Sequence, residues 1–320
     1  MSASSLSHDF PFDPTYGYDL DALLKVGAPP EPDDLVPFWQ KTYREALQTP
    51  LRIERRRIDS TKADVEVFEI EFDSWNGVRI GGWLTLPRHK PVERGVVHSH
   101  GYGGNSGPDL DVPGPPAAII FPCARGLPTR SLLPGISGEG HRHVLAGIQS
   151  RETYIHRGCV ADIWCAASAL LELVPEASEK LHFIGGSFGG GTGAMALAWD
   201  DRFSAGMLGV PSFGNHPLRV TLPCNGSGES VRLYHKRHPE VLDVLKYHDA
   251  ATMARHIHIP ILCDCALFDP AVPPPGQFAV YNALAGPKQL FARRAGHFTY
   301  PEESAENEQM RRLAQDWFSK

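Results

Sequence analysis

Apolar residues recur at helical spacing at Leu35, Phe38, Trp39, Tyr43, Ala46 and Leu47, directly after Asp33-Asp34. That pattern predicts a short amphipathic helix, capped by an aspartate and packed on the body of the protein. Residues 64–72 and 78–86 are β-rich instead, and Trp75-Asn76-Gly77 between them is a hairpin signal. From there short buried runs alternate with longer helical ones. Strands are expected at 94–99, 117–122, 181–184, 205–210, 259–267 and 288–292, and helices at about 158–174, 191–200, 276–285 and 302–318. A hairpin followed by repeated βα units predicts a mostly parallel central sheet flanked by helices. Two long stretches break the alternation: 102–151, rich in Gly and Pro, and 211–258, with a polar helical pattern. Segments of this kind serve as lids, pocket walls or subunit contacts. The expected organisation is an N-terminal extension over 1–60, its first ten residues loose, packed on a core domain over 61–320 that carries both insertions.

Composition narrows the class. Hydrophobic residues make up 42% of the 320 and charged residues 21%, ordinary proportions that provide for a large core. A net charge of -6 leaves no electrostatic footprint for nucleic acid, and Arg55-Arg56-Arg57 is expected to be one solvated strand face. There is no run of about 18 apolar residues to span a membrane, and Met1–Asp13 holds neither the basic nor the apolar region of a secretory leader. Six cysteines, at 123, 159, 165, 224, 263 and 265, follow no framework spacing and are expected to be free buried thiols. A soluble cytoplasmic enzyme is expected, with no nucleic-acid or membrane partner.

The chemistry centres on Leu181-His182-Phe183-Ile184, which runs into Gly185-Gly186-Ser187-Phe188-Gly189 and then into an apolar helical stretch. Gly-x-Ser-x-Gly between a strand and a helix is the setting in which serine becomes a nucleophile in α/β-hydrolases. The turn is so tight that residues two positions either side of the serine must be small, and Gly185 and Gly189 are. The alternative, a phosphate loop, lacks its lysine. Ser187 then needs a base and an orienting acid, in the order Ser, Asp/Glu, His. After Asp269 the chain holds one histidine, His297, just past the last expected strand. Asp269 lies at the carboxyl end of the preceding strand, where it can reach the histidine loop; Asp264, in mid-strand, is the competitor. The oxyanion donors are expected to be the backbone N–H groups of Phe188 and of Tyr102, which glycines flank in His100-Gly101-Tyr102-Gly103-Gly104. The pairs His98/His100, His141/His143, His256/His258 and Cys263/Cys265 could chelate from one strand face. None has a partner at zinc spacing, so no metal or other cofactor is expected.

With those residues placed, the chain resembles the acetyl xylan esterase and cephalosporin C deacetylase family (carbohydrate esterase family 7). The resemblance runs from Phe38-Trp39 through the Tyr102 and Ser187 motifs to Ala295-Gly296-His297. It includes the more specific stretches Tyr154–Asp162 and Asp269–Pro274, the latter followed by Tyr281-Asn282. It implies the same triad and oxyanion donors, deacetylation of small acetylated sugars and related esters, and ring-like hexamers. Three positions depart from the family pattern: Leu127 replaces the glutamine of Arg-Gly-Gln, Phe188 replaces the glutamine after the nucleophile, and Phe298 replaces the glutamate after the histidine. These departures bear on substrate identity. The expected function is a serine esterase of small acyl esters, in a homo-oligomer, hexamer or dimer. The alternatives are a peptidase of the prolyl-oligopeptidase type and a catalytically silent binding protein of the same fold.

Overall fold

The structure, a computed structural model, describes residues 6–320. One nine-stranded sheet organises them: β1 (Glu54–Ile58), β2 (Val65–Ser74), β3 (Val78–Pro87), β4 (Arg94–Ser99), β5 (Ala117–Pro122), β6 (Leu181–Gly186), β7 (Phe203–Gly209), β8 (Ile261–Ala266) and β9 (Lys288–Arg293), in the spatial order β1-β2-β3-β5-β4-β6-β7-β8-β9. The first three strands and β5 pair antiparallel, and all neighbours from β5 onward pair parallel. The β2–β3 hairpin closes at Ser74–Val78, and its turn places Asn76 and Gly77 at φ 62 and 71, a conformation these two residue types adopt cheaply.

Successive residues of the inner strands divide between two cores, as a sheet covered on both faces requires. Val97, Ile120 and Phe183 join the core of the helices Ile155–Leu173 and Phe188–Leu197. Val96, Ile119 and Ile184 join a second core that Phe318 of the C-terminal helix Glu303–Phe318 completes. The helix after β6 sits directly on the sheet because it is small: a Cβ at Gly193 would come within 2.1 Å of the Phe183 ring.

The helix Leu35–Leu47 buries Leu35, Trp39, Thr42 and Ala46, and the Trp39 indole donates to the Tyr247 carbonyl at 2.7 Å. The expected aspartate cap does not form. Asp34 occupies the cap position without a capping hydrogen bond, its carboxylate accepting instead from the Tyr247 hydroxyl and, at 2.8 Å, from Arg151. A charged partner from a distant loop outcompetes the local amides. The first residues also differ from expectation. Residues 1–5 lie outside the described part, but Leu6 and Phe10 are packed rather than loose, joining Phe268, Ala295, Phe298 and Tyr300. Of the two insertions, the first carries the short helix Gly140–His143 and the second the helices His216–Arg219, Ser227–His235, Leu242–Leu245 and Ala250–Ala254. All six cysteines are free and buried. Among the described residues no helix is long and apolar enough to cross a membrane.

Candidate active site

Ser187 occupies the turn between β6 and the helix Phe188–Leu197 at φ 54, ψ -117, a backbone conformation costly for any side-chain-bearing residue. The surroundings enforce it. The Ser187 N–H donates to the Gly209 carbonyl at 2.8 Å, and its own carbonyl accepts from the N–H groups of Gly191 at 3.0 Å and Ser212 at 3.1 Å. A Cβ on Gly185 would lie 2.7 Å from the Gly189 carbonyl oxygen, and one on Gly189 2.8 Å from that of His100. Both glycines of the motif are therefore sterically required.

His297 lies in the loop after β9, itself at φ 47, with Nε2 3.0 Å from Ser187 Oγ and Nδ1 2.8 Å from Asp269 Oδ2. Asp269 follows β8 and is fully buried. Its Oδ1 accepts from the N–H groups of Ala271 and Val272, both at 2.9 Å, and its Oδ2 from Gln277 Nε2 at 3.0 Å as well as from the imidazole. An ionised carboxylate only accepts, so the imidazole proton resides on Nδ1 and the Nε2 lone pair faces the serine hydroxyl. Burial pushes the His297 pKa down, but the hydrogen bond and charge of Asp269 outweigh it and the net shift is upward. Asp264 is buried in β8 with its Oδ1 accepting from Arg293 Nε at 2.7 Å. Burial raises its pKa and Arg293 opposes the rise.

The loop after β4 lies against this group: a Cβ on Gly101 would be 3.8 Å from that of Ser187. His100 sets its shape. The Ala124 N–H donates to His100 Nε2 at 2.9 Å, so the imidazole proton is on Nδ1 and donates to the Gly101 carbonyl at 2.7 Å. The N–H groups of Tyr102 and Phe188 donate to no acceptor among the described residues. The side chains beside these amides are locked: the Tyr102 and Phe188 rings lie 4.5 Å apart, and the Tyr102 hydroxyl is hydrogen-bonded with His156 Nε2 at 2.8 Å. Phe188 and Leu127 are fully buried, and Phe298 packs 5.0 Å from Phe268 and 6.0 Å from Phe10. The three positions that depart from the family pattern are thus packing positions.

Sequence reasoning had singled out neither Gln277, which donates to Asp269, nor the shaping role of His100, nor His156 beneath Tyr102. Each acts through a contact between distant segments that no local spacing announces. The histidine pairs have separate occupations. His98 packs on Phe121 at 5.2 Å, His143 Nε2 meets the Arg125 carbonyl at 2.9 Å and His256 meets Glu31 at 2.8 Å. Among the described residues no three His, Cys, Asp or Glu side chains converge as metal ligands.

A family model described as "Acetyl xylan esterase (AXE1)" matches residues 18–315. Among solved structures, an acetyl xylan esterase from Paenibacillus sp. R4 superposes with a TM-score of 0.78 at 22% identity, covering 93% of this chain and 99% of that one. Acetyl xylan esterase 1 from Thermoanaerobacterium sp. JW/SL YS485 gives 0.78 at 21% identity, covering 95% and 99%. An acylaminoacyl peptidase from Pyrococcus horikoshii matches at 0.59 and 15% identity over 85% of this chain but only 42% of its own. These structural likenesses identify the sheet and its helices as an α/β-hydrolase fold.

Proposed function

Given that the chain belongs to the acetyl xylan esterase family, and is thereby a carboxylic ester hydrolase acting on acetyl esters, we propose that Ser187, His297 and Asp269 are its catalytic triad and that the Tyr102 and Phe188 amides hold the oxyanion. The observation that carries this reading is the single imidazole bonded at once to Ser187 Oγ and to a buried carboxylate. Ser187 Oγ attacks the acetyl carbonyl carbon while His297 Nε2 takes its proton. The imidazolium that forms is stabilised by Asp269, and the carbonyl oxygen, now negative, accepts from the two free amides. Collapse breaks the ester bond, and His297 returns the proton to the departing alcohol. Water then repeats the sequence on the acetyl-serine and releases acetate.

The finer reading is that small acetylated sugars and the acetyl group of cephalosporin C are substrates, and that the enzyme is a cytoplasmic homo-oligomer, hexamer or dimer. The family motifs support it, and Leu132 and Leu233, exposed in the two insertions, offer apolar surface for subunit contact. In this reading residues 61–320 are the hydrolase domain and 1–60 an extension supporting it. The test is Ser187→Ala: turnover of a short acetyl ester should fall by at least about 10³-fold, with labelling by a fluorophosphonate serine probe lost. A folded variant that keeps a tenth of wild-type activity would remove Ser187 from the mechanism, and an unlabelled, inactive wild type would favour the silent binding protein.

A further inference from the structure

The second insertion contains a buried charge without a counter-ion. Arg219, at the end of the helix His216–Arg219, is only 6% exposed. The other buried arginines are satisfied: Arg125 pairs with Asp162 at 2.7 Å, Arg94 donates to the Pro113 and Pro115 carbonyls, and Arg157 donates to Thr42 Oγ1. The Arg219 guanidinium makes no hydrogen bond or ion pair with any described residue, and its Nη1 is sealed from solvent without an acceptor. Neighbouring carboxylates are already committed. Asp249 accepts from the amides of Asn215, His216, Ala251 and Thr252, Glu229 pairs with Arg232, and Asp269 holds His297. A buried cation left unpaired is among the most costly arrangements a fold can hold, so its retention points to a partner that arrives with a ligand.

Its position says which ligand. The guanidinium stands 6.0 Å from the centroid of Phe213, whose ring packs on Phe188 at 6.0 Å and Tyr102 at 6.3 Å, the residues that carry the oxyanion amides. On its other side Gly228 leaves the room it needs, since a Cβ there would fall 2.1 Å from Nη2. That segment is tied to the acid's loop, the Asn225 N–H donating to the Pro270 carbonyl at 2.8 Å. Arg219 therefore stands between the Phe213 ring, which packs on the residues of the oxyanion amides, and the segment tied to the acid's loop. We propose that Arg219 binds a carboxylate on the alcohol part of the substrate, so that the preferred acetyl ester is that of a hydroxy acid. The inference rests on the serine-esterase reading above. A planar guanidinium meets a carboxylate through two parallel hydrogen bonds, which fixes the ester's orientation as well as its affinity.

The test compares acetate release from 3-acetoxybenzoate and 3-acetoxybenzamide, equal in shape and differing in charge. Wild-type kcat/KM should favour the acid by about ten- to hundredfold, the worth of hydrogen bonds to a charged group. Arg219→Met should bring the ratio near one, and Arg219→Lys should keep part of it. A wild-type ratio near one, or an unchanged ratio in folded Arg219→Met, overturns the proposal. Should the variants not fold, wild-type calorimetry with benzoate and benzamide decides: at least tenfold tighter benzoate binding supports the site, and equal binding overturns it. That arm does not depend on turnover, so an enzyme that binds benzoate but hydrolyses neither ester would refute the esterase reading and leave the anion site standing.

Discussion

Replacing Asp269 by asparagine changes one atom and, on this geometry, reverses the proton order of the whole site. Oδ1 accepts two backbone N–H groups, so the amide oxygen of the new side chain must stay there. Its NH₂ then takes the place of Oδ2, facing two donors, Gln277 Nε2 and the His297 ring. Gln277 cannot turn over to help, because its Oε1 accepts from the Ala266 N–H at 2.8 Å and its Nε2 also donates to the Val272 carbonyl at 2.6 Å. The imidazole must yield by moving its proton from Nδ1 to Nε2, where it points at Ser187 Oγ and cannot accept the serine proton. A wrong tautomer costs up to ~10⁴-fold in kcat, about 5.4 kcal/mol of barrier. The orphaned Gln277 N–H adds about 1–3 kcal/mol of instability, so the variant should still fold. The assay is kcat for acetate release from an unactivated alkyl acetate, with circular dichroism to check folding. Asp264→Asn is the control: it breaks the Arg293 pair and should cost stability far more than turnover. A folded Asp269→Asn that retains a tenth of wild-type kcat, or an Asp264→Asn that is the slower of the two, would refute the reasoning.

Two further expectations concern pH and chain length. The serine's base must be neutral, and Asp269 raises the His297 pKa over the opposing effect of burial, so activity is lost as pH falls through a value above the ordinary 6.5. The acid limb of kcat/KM reads this directly; it should move to lower pH in any Asp269→Asn activity that remains, and a wild-type limb well below that value would contradict the assignment. Acetyl and propionyl esters should outrun octanoyl esters, because each methylene the site cannot accommodate forfeits about 0.8 kcal/mol of burial and adds strain. A kcat/KM that climbs steadily to eight or ten carbons would point to an open, lipase-like cleft.

The parallel half of the fold was legible because its strands are short apolar runs bounded by sharp changes of pattern. β4 and β5 begin and end at the expected residues, and β6 runs two residues past its expected end, because Gly185 and Gly186 stay in the ladder. Local chemistry also led to Ser187, Asp269 and His297, since strand ends and glycine spacing are properties of neighbouring residues. What escaped were choices settled at long range. Asp34 had every local reason to cap its helix, yet Arg151 and Tyr247 take its carboxylate. Phe10 stacks on its neighbours His8 and Phe12, but its place against Phe298 is set by a loop nearly three hundred residues away. Gln277 matters through what stands opposite it, and spacing along a chain does not record that.

The Asp269 N–H donates to the Pro14 carbonyl at 3.1 Å, and the Tyr16 hydroxyl to that of Pro223 at 2.7 Å. Segments far apart in the order of synthesis thus meet at the acid's loop. Such contacts carry the largest loop-closure penalty and form late in folding. Translation delivers Ser187 after six of the nine strands, while Asp269 follows β8 and His297 comes only after β9. If Ser187, His297 and Asp269 act as proposed, a nascent or truncated chain carries a serine hydroxyl no more reactive than one in water, and hydrolysis begins only when the molecule has closed on itself.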